Sequence, residues 1–393
     1  MRSVVVFALL LSFGTGTSPT GAAQGCGGDF ADFLGGLSSE AGARGYDRQG
    51  FDAFLQGVRQ DKKVLKLDRA QGVFKKSFLD FLSSRVSSGR LSMGAGKLKA
   101  YRSTFDRIAA DYGIPAGVIA SYWGLETDFG AVQGDVPTLG ALVTLAHDCR
   151  RPELFRPQIF AAYELTGRGM FDPARNRGAW AGEIGQFQML PADVLKNGTD
   201  GDGDGRVDVQ GSTPDALMSA ARMLSGFGWR ANEPWLQEIT VPREMDWAKT
   251  GLNHSLSTAD WAAMGVKGRS KPLAAGLEGS VLLPMGRLGP AFIAYPNYHV
   301  YFNWNKSFVY ATTAAYFATR LEGAPPLDPR QPAPGLSPDQ MKRLQEKLQA
   351  RGHDVGKIDG ILGKLTREAV QAEQVRLGLP ADGWPNAALL DAF

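Results

Sequence analysis

Residues 111–130 read DYGIPAGVIASYWGLETDFG. Pro115 has no backbone N–H to lose and its φ is already helical, so it suits the first turn of a helix. Beyond it Ile119, Tyr122, Trp123 and Glu126 fall at i, i+3, i+4 and i+7, with Val118 alongside, which places a carboxyl on the apolar stripe. A desolvated carboxyl holds its proton more tightly, and this predicts an acid able to give a proton near neutral pH. By position alone, a solvated or salt-bridged Glu at a helix end is the competing reading. Helical phasing recurs in FDAFLQGVRQD (51–61), AGKLKAYRSTFDRIAADYG (95–113) and SFVYATTAAYFATRL (307–321), whereas strand signals are scarce. The expected fold class is mainly α.

The chain has 393 residues, enough for two or three folding units. Lys plus Arg number 43 against 40 for Asp plus Glu, a net charge of +3 that gives no electrostatic footprint for nucleic acid. Residues 1–23 have the pattern of a secretory signal: Arg2, then the apolar stretch Val4–Phe13 broken only by Ser12, then small Gly21, Ala22 and Ala23. That stretch is too short to span a bilayer and no later run is long enough, so no transmembrane segment is expected. A periplasmic or secreted location follows. Cys26 and Cys149 are the two cysteines, and an oxidising compartment favours a disulfide between them; Cys26 as a lipid-anchored N-terminus is the alternative, weakened by Ala23, Gln24 and Gly25 preceding it.

The stretch EGAPPLDPRQPAPG (322–335) denies a helix its donors and reads as a linker at 323–335, between a larger body at 24–322 and a tail at 336–393. The tail opens on Ser337 and Pro338, a Ser N-cap followed by Pro at the first helical position. Met341, Leu344 and Leu348 form one apolar stripe, with Ala369 and Val370 on a second helix after a Gly/Asp loop. Leu344, Gln345, Leu348, Gly352, Gly356, Asp359, Gly360, Gly363, Thr366, Gln374 and Asp382-Gly383 together make the tail resemble the peptidoglycan-binding module of bacterial cell-wall enzymes.

The body resembles the lytic transglycosylases of the membrane-bound B family in three motifs, in order. These are SYWGLETDFG (121–130), WAGEIGQFQMLP (180–191) with Gly182, Gly185, Gln188 and Pro191, and FNWNKSFVYA (302–311) with Asn305, Ser307 and Tyr310. The chain departs from the family's pattern at Ala179, Trp304, Arg222 and Met223. The resemblance implies a lysozyme-like catalytic domain with extra helical segments, Glu126 as the catalytic acid and base, and substrate contacts from Thr127, Gln188, Trp304, Asn305 and Tyr310. It implies glycan strands of peptidoglycan as the partner and a 1,6-anhydro-MurNAc end as the product, and leaves open recruitment into cell-wall enzyme complexes. Simple hydrolysis, as by a muramidase, and a non-catalytic wall-binding protein are the alternatives; hydrolysis needs a second carboxylate, and Asp128 and Asp135 do not share the Glu126 stripe.

In DGDGDGRVDVQGSTPD (200–215), Asp200, Asp202 and Asp204 occupy positions one, three and five of an EF-hand-like loop, with Gly205 at six, but Gly211 stands where the bidentate Glu belongs. Three hard oxygen ligands suit Ca2+ in a structural role. The family resemblance implies closure by the later Asp215, with Arg206 contributing its carbonyl. No organic cofactor is expected. His147, His254, His299 and His353 show no metal spacing and read as surface or capping residues.

Overall fold

The computed structural model describes residues 26–70 and 76–393; the signal expected at 1–23 lies outside them. Helices dominate the described residues: α1 (Phe30–Ala43), α2 (Arg48–Leu55), α3 (Lys62–Arg69), α4 (Phe78–Arg85), α5 (Ser88–Ala100), α6 (Arg102–Tyr112), α7 (Ala116–Thr127), α8 (Thr138–His147), α9 (Pro152–Gly167), α10 (Pro191–Asn197), α11 (Thr213–Gly226), α12 (Thr258–Ala263), α13 (Tyr298–Trp304), α14 (Phe308–Leu321), α15 (Pro338–Ala350), α16 (Lys364–Arg376) and α17 (Ala387–Asp391). The expected helix over 95–113 is broken at Tyr101, and that over 51–61 stops at Leu55. The chain divides into two compact units, one of 26–70, 99–111 and 122–223, the other of 76–98, 112–121 and 224–393, so that α7 contributes a half to each.

In the first unit α9 packs against both α8 and α10, and α3 packs on α8. A disulfide joins Cys26 to Cys149 with 5.1 Å between the Cα atoms, pinning the start of the described chain beyond the end of α8. His147, expected as a surface or capping residue, is buried in the last turn of α8, its ring meeting Phe30 and Phe33 edge-on at 5.2 and 5.0 Å. Its ring nitrogens face Gln60 Nε2 at 3.0 Å and the Gly28 carbonyl at 3.2 Å, which makes burial of this ring affordable. Asp68 is buried and bridged by Arg150 at 2.5 Å and by Arg151.

The second unit contains a feature that the scarcity of strand signals did not suggest, a five-stranded antiparallel sheet. Strands β3 (Leu236–Thr240), β4 (Leu256–Ser257), β5 (Lys267–Gly268), β6 (Glu278–Leu282) and β7 (Ala291–Ala294) run in the order β4-β6-β7-β3-β5; two-residue β1 (Val136–Pro137) and β2 (Arg177–Gly178) pair separately in the first unit. In register, Val281 opposes Ile293 and Leu236 opposes Ala294. All four residues of β7 and four of five in β6 are buried, so their sequences lack the in–out alternation by which a strand is recognised. Trp247, Trp261, Val266, Ile239 and Tyr295 fill the core against this sheet.

The tail forms α15 with the expected Ser337 cap, completed by Gln340 into a reciprocal capping box, then α16 and a third short helix, α17. Met341, Leu344, Leu348, Val355, Ala369, Val370, Leu389 and Leu390 make its core. This module belongs to the same unit as the sheet and is fixed to it. Arg367 donates to the carbonyls of Leu283 (3.3 Å) and Pro284 (2.6 Å), and its guanidinium lies over Phe308 at 4.7 Å. Gln371 donates to the carbonyls of Trp247 and Thr250, and Asp382 accepts from the Arg287 N–H at 2.9 Å. The proline-rich segment has neither helix nor strand, yet its backbone is tied down: Leu327 N–H donates to Tyr316, Asp328 N–H to Glu238, and Gln331 N–H to the Leu288 carbonyl.

Replacing Arg367 with Ala removes both carbonyl contacts and the ring contact at once while leaving Leu283 and Pro284 carbonyls short of a donor. The expected result is a loss of roughly 2–4 kcal/mol in the unit's unfolding and faster proteolysis within 323–335; a melting curve and cleavage rate equal to wild type would show that Arg367 does not hold the module.

Candidate active site

The helix bearing Glu126 differs from expectation in one respect: it has no exposed face. Every residue from Gly117 to Thr127 is buried, so the stripe on which Glu126 lies is one side of a core helix. Glu126 itself is 2% exposed. Burial of a carboxyl therefore comes from the whole surrounding core, which strengthens its desolvation.

The end of α7 is unusual backbone. Asp128, Phe129 and Gly130 all take left-handed conformations, with φ of 55°, 60° and 84°. Two of these are non-glycine residues, an arrangement that costs of order 1 kcal/mol each and persists only where neighbours enforce it. The enforcing contacts centre on Thr127. Its hydroxyl donates to the Gln186 carbonyl at 2.7 Å and accepts from the Gly130 N–H at 2.9 Å, while Phe129 N–H returns to the Trp123 carbonyl at 3.1 Å. Gly130 has a φ of 84° that other residues adopt only with strain, and a Cβ there would sit 2.6 Å from Gln186 Oε1, so the Gln186 side chain would have to shift.

Gln186 belongs to a tight reversal in which Ile184 and Met189 exchange both backbone hydrogen bonds, at 2.9 and 3.0 Å. Gln188 sits inside it with φ 51°. Its amide nitrogen donates to the carbonyls of Gly185 (2.8 Å) and Gln133 (3.1 Å), and its fully buried Oε1 receives no hydrogen bond from the protein. Gly182, at φ 82°, would bring a Cβ to 2.2 Å from Leu142 Cδ2, which seats the reversal directly on α8.

Glu183, within the same WAGEIGQFQMLP string, is 1% exposed, and its Oε2 accepts no hydrogen bond from the protein. Burial pushes its carboxyl up to about 8, against the lowering effect of the backbone N–H groups of Glu183 and Ala181; the Glu126 charge adds to the rise and Arg151 opposes it. Sequence reading passed over this residue. The signal was present: one acidic residue in an otherwise apolar, Gly- and Gln-containing run has no solvated face to occupy.

Of the other expected contact residues, Thr127 and Gln188 share the first unit with Glu126. Trp304, Asn305 and Tyr310 are buried around the corner between α13 and α14 in the second unit, where Asn305 accepts from the Ser307 N–H at 2.9 Å.

The acidic loop follows α10. Asp200, Asp202 and Asp204 each offer a carboxylate oxygen, all within 4.8 Å of one another, the sole such acidic or His/Cys group found among the described residues. Backbone N–H groups of Gly205 and Gly203 hold the Asp200 carboxyl below its usual range. This convergent set of hard oxygens fits a divalent cation of the calcium type. Asp215 is buried with both oxygens engaged: Oδ1 accepts from the N–H of Gly201 (2.7 Å) and Oδ2 from that of Asp208 (2.7 Å). Arg206 is exposed, its N–H donating to Asp204. The exit of the loop reaches the reversal, since Gln186 N–H donates to the Val209 carbonyl at 3.0 Å.

A carboxyl buried at the end of a core helix, in a mainly helical, lysozyme-like scaffold, is compatible with an enzyme that cleaves glycosidic bonds. The chain belongs to the Transglycosylase SLT domain family, which it matches over residues 29–319, and residues 337–393 match a peptidoglycan binding domain. It is a peptidoglycan lytic transglycosylase. Similar structures include SltB3 from Pseudomonas aeruginosa in complex with NAG-anhNAM-pentapeptide, at 34% identity and a TM-score of 0.85 over 93% of this chain and 99% of that one; the same protein with NAG-NAM-pentapeptide aligns equally well. Membrane-bound lytic murein transglycosylase B of Escherichia coli strain K12 is 24% identical over 299 residues, 72% of this chain and 82% of that protein. The Escherichia coli transglycosylase Slt35 in complex with calcium shares the fold, with a TM-score of 0.65 at 24% identity over 76% of this chain and 96% of that one.

The raised carboxyl of Glu183 makes stability fall with alkali. Its pKa stands near 8 when folded and near 4.5 when unfolded, so the folded state is fully favoured below the lower value and loses stability as pH rises through the higher one. Glu183→Gln should unfold at higher urea than wild type at pH 9, by at least about 1 kcal/mol, with the gain shrinking steadily toward acid and vanishing below about pH 4. An equal difference at both pH values would show that Glu183 is ionised throughout.

Proposed function

We propose that Glu126 cleaves the β-1,4 bond between N-acetylmuramic acid and N-acetylglucosamine by serving first as acid and then as base. Its carboxyl protonates the glycosidic oxygen as that bond breaks. The resulting carboxylate withdraws the proton of the muramic C6 hydroxyl, whose oxygen attacks C1 of the same sugar and closes the 1,6-anhydro ring, returning Glu126 to its starting state. No water is consumed. The observation that carries this reading is the burial of Glu126 at the end of a core helix held by Thr127 to the 184–189 reversal. Hydrolysis by a retaining or inverting route needs a second ionised carboxylate; the one buried beside Glu126 is held in its neutral form at pH 7, which favours intramolecular attack.

Gln188, with a buried carbonyl oxygen accepting nothing from the protein, is suited to an N–H or hydroxyl of the sugar. Thr127 acts by fixing the end of α7, and Trp304, Asn305 and Tyr310 are assigned to saccharide contacts on the strength of their motif. Residues 24–322 carry the chemistry and 336–393 hold the enzyme to the wall, joined by 323–335. Export follows from the leader at 1–23. A Cys26–Cys149 bond favours the bridged reading over a lipid on Cys26, and binding to the wall is assigned to the tail module.

The test of the mechanism is Glu126→Gln, which keeps the shape and removes the exchangeable proton. Turnover of glycan strands should fall at least about a hundredfold, roughly 2.7 kcal/mol of barrier, while sacculus binding persists. Mass analysis of wild-type products should find ends lighter by one water than hydrolysed ends; hydrated ends would overturn the intramolecular route.

Asp200, Asp202 and Asp204, with Arg206 and Asp215 closing the loop, would hold calcium, which supplies charge neutralisation there and stabilises the fold. Protein stripped with chelator should melt higher on adding millimolar calcium and less so with magnesium. The double change Asp202→Ala with Asp204→Ala should abolish the shift; a wild-type melt that calcium leaves unmoved would refute the site.

A further inference from the structure

We propose that Gln133 is a positioning residue for the saccharide groove: it fixes the Gln188 amide so that an acceptor is presented, selecting sugars that bring an acetamido N–H or a hydroxyl to it. The inference rests on Gln188 being a saccharide contact. An amide donates through nitrogen and accepts through oxygen, and its surroundings decide which end is left for a ligand. The Gln188 nitrogen meets two carbonyls, those of Gly185 at 2.8 Å and Gln133 at 3.1 Å, which take both of its hydrogens. The reversed amide would set oxygen against oxygen at both contacts. Oε1 is therefore the end left over, buried and without a donor from the protein. A desolvated acceptor left unfilled is costly, so a sugar that supplies the donor gains affinity. Of the two carbonyls, that of Gly185 belongs to the reversal itself, whereas that of Gln133 comes from the segment after α7. Whatever places the Gln133 carbonyl also places the Gln188 amide.

Gln133 is placed by its own side chain. Its Nε2 donates to the Gly130 carbonyl at 3.3 Å and to the Gln210 carbonyl at 3.1 Å, spanning the turn after α7 and the exit of the acidic loop. Gln210 is held in turn: its carbonyl also takes Gln186 Nε2 at 3.3 Å, and its own Nε2 donates to the Arg177 carbonyl at 2.7 Å. On the flanks of Gln133, the Val132 N–H donates to the Thr127 carbonyl at 2.9 Å, and Gly134 presses on the Gly178 carbonyl with no space for a Cβ. A hydrocarbon side chain at 133 would leave the Gly130 and Gln210 carbonyls without this donor, loosen the segment and let the Gln188 amide turn. A carboxylate there would face two carbonyl oxygens and repel them. Once protonated, its O–H would restore one of the two donors.

A double-mutant cycle in the full-length enzyme acting on soluble glycan strands tests this. Gln188→Leu should lower kcat/KM at least about tenfold and Gln133→Leu about three- to tenfold, the latter loss falling more on KM than on kcat. The double variant should be no slower than Gln188→Leu, because Gln133 acts through Gln188. Losses that multiply overturn the proposal, as does a Gln133→Leu enzyme equal to wild type. A second variant, Gln133→Glu, separates positioning from poor folding: its deficit relative to wild type should shrink as pH falls and the carboxyl takes up the proton that restores a donor. A deficit of one size at every pH overturns the proposal. The two readings fail separately. Gln188→Leu at the wild-type rate defeats the saccharide contact and the proposal with it, whereas a slow Gln188→Leu beside an unaffected Gln133→Leu defeats only the positioning role.

Discussion

The hydroxyl of Thr127 is the joint on which the backbone geometry around Glu126 depends. It ends α7, supports the left-handed turn through Gly130, and ties the helix to the Gln186 carbonyl. Without it, two non-glycine residues at positive φ would relax and the last turn of α7, with Glu126 in it, would be free to fray. Its replacement by Ser keeps the hydrogen bonds but loses the methyl group that packs in a fully buried site. The position one beyond Glu126 is thus under a narrower constraint than hydrogen bonding alone imposes.

How much of this was legible in the sequence differs by element. Glu126 and the Ser337 cap stand in local patterns and the disulfide follows from there being two cysteines; Glu126 lies on a helix, Ser337 caps α15 and Cys26 is bonded to Cys149. The sheet was not legible. Its central strands are buried on both faces, which erases the alternation that distinguishes strand from apolar helix. His147 was misread for a related reason: a lone polar residue is assigned to the surface by composition, and only the tertiary positions of Gln60, Gly28, Phe30 and Phe33 make its burial favourable. Glu183 stood within a quoted motif, but the motif drew attention to its glycines and glutamines. The electrostatic relation to Glu126 arises across a gap of some sixty residues in the chain, and no local pattern encodes it.

The proline-rich segment shows why composition fixes conformation more readily than mobility. Prolines exclude helix from 323–335, and the segment is irregular as composition requires. Its carbonyls and remaining N–H groups nevertheless find partners on the body: the Pro326 carbonyl accepts from Arg269 at 2.7 Å and Arg330 donates to the Gly289 carbonyl at 3.1 Å. Trp384 then donates to the Ala333 carbonyl at 3.0 Å, tying the segment's end to the tail module it leads into. A linker so anchored sets the place of the wall-binding module relative to the sheet. Avidity then depends on one defined geometry and not on a swept volume.

The acidic loop is connected to the catalytic turn by a short run of hydrogen bonds, and the direction of that connection decides what an ion there can do. Asp215 already satisfies the N–H groups that close the loop, so the loop's backbone is supported from within. Beyond it, Gln186 meets the Val209 carbonyl through its backbone and Thr213 through its side chain at 3.1 Å, and Gln186 in turn receives Thr127. What the internal hydrogen bonds do not relieve is repulsion among Asp200, Asp202 and Asp204, whose oxygens converge at the solvent-facing end. Relief of that repulsion stabilises the folded loop, and through Gln186 it stabilises the turn that holds α7. Because the path ends on the hydroxyl of Thr127 and not on the Glu126 carboxyl, it bears on the geometry at the end of α7.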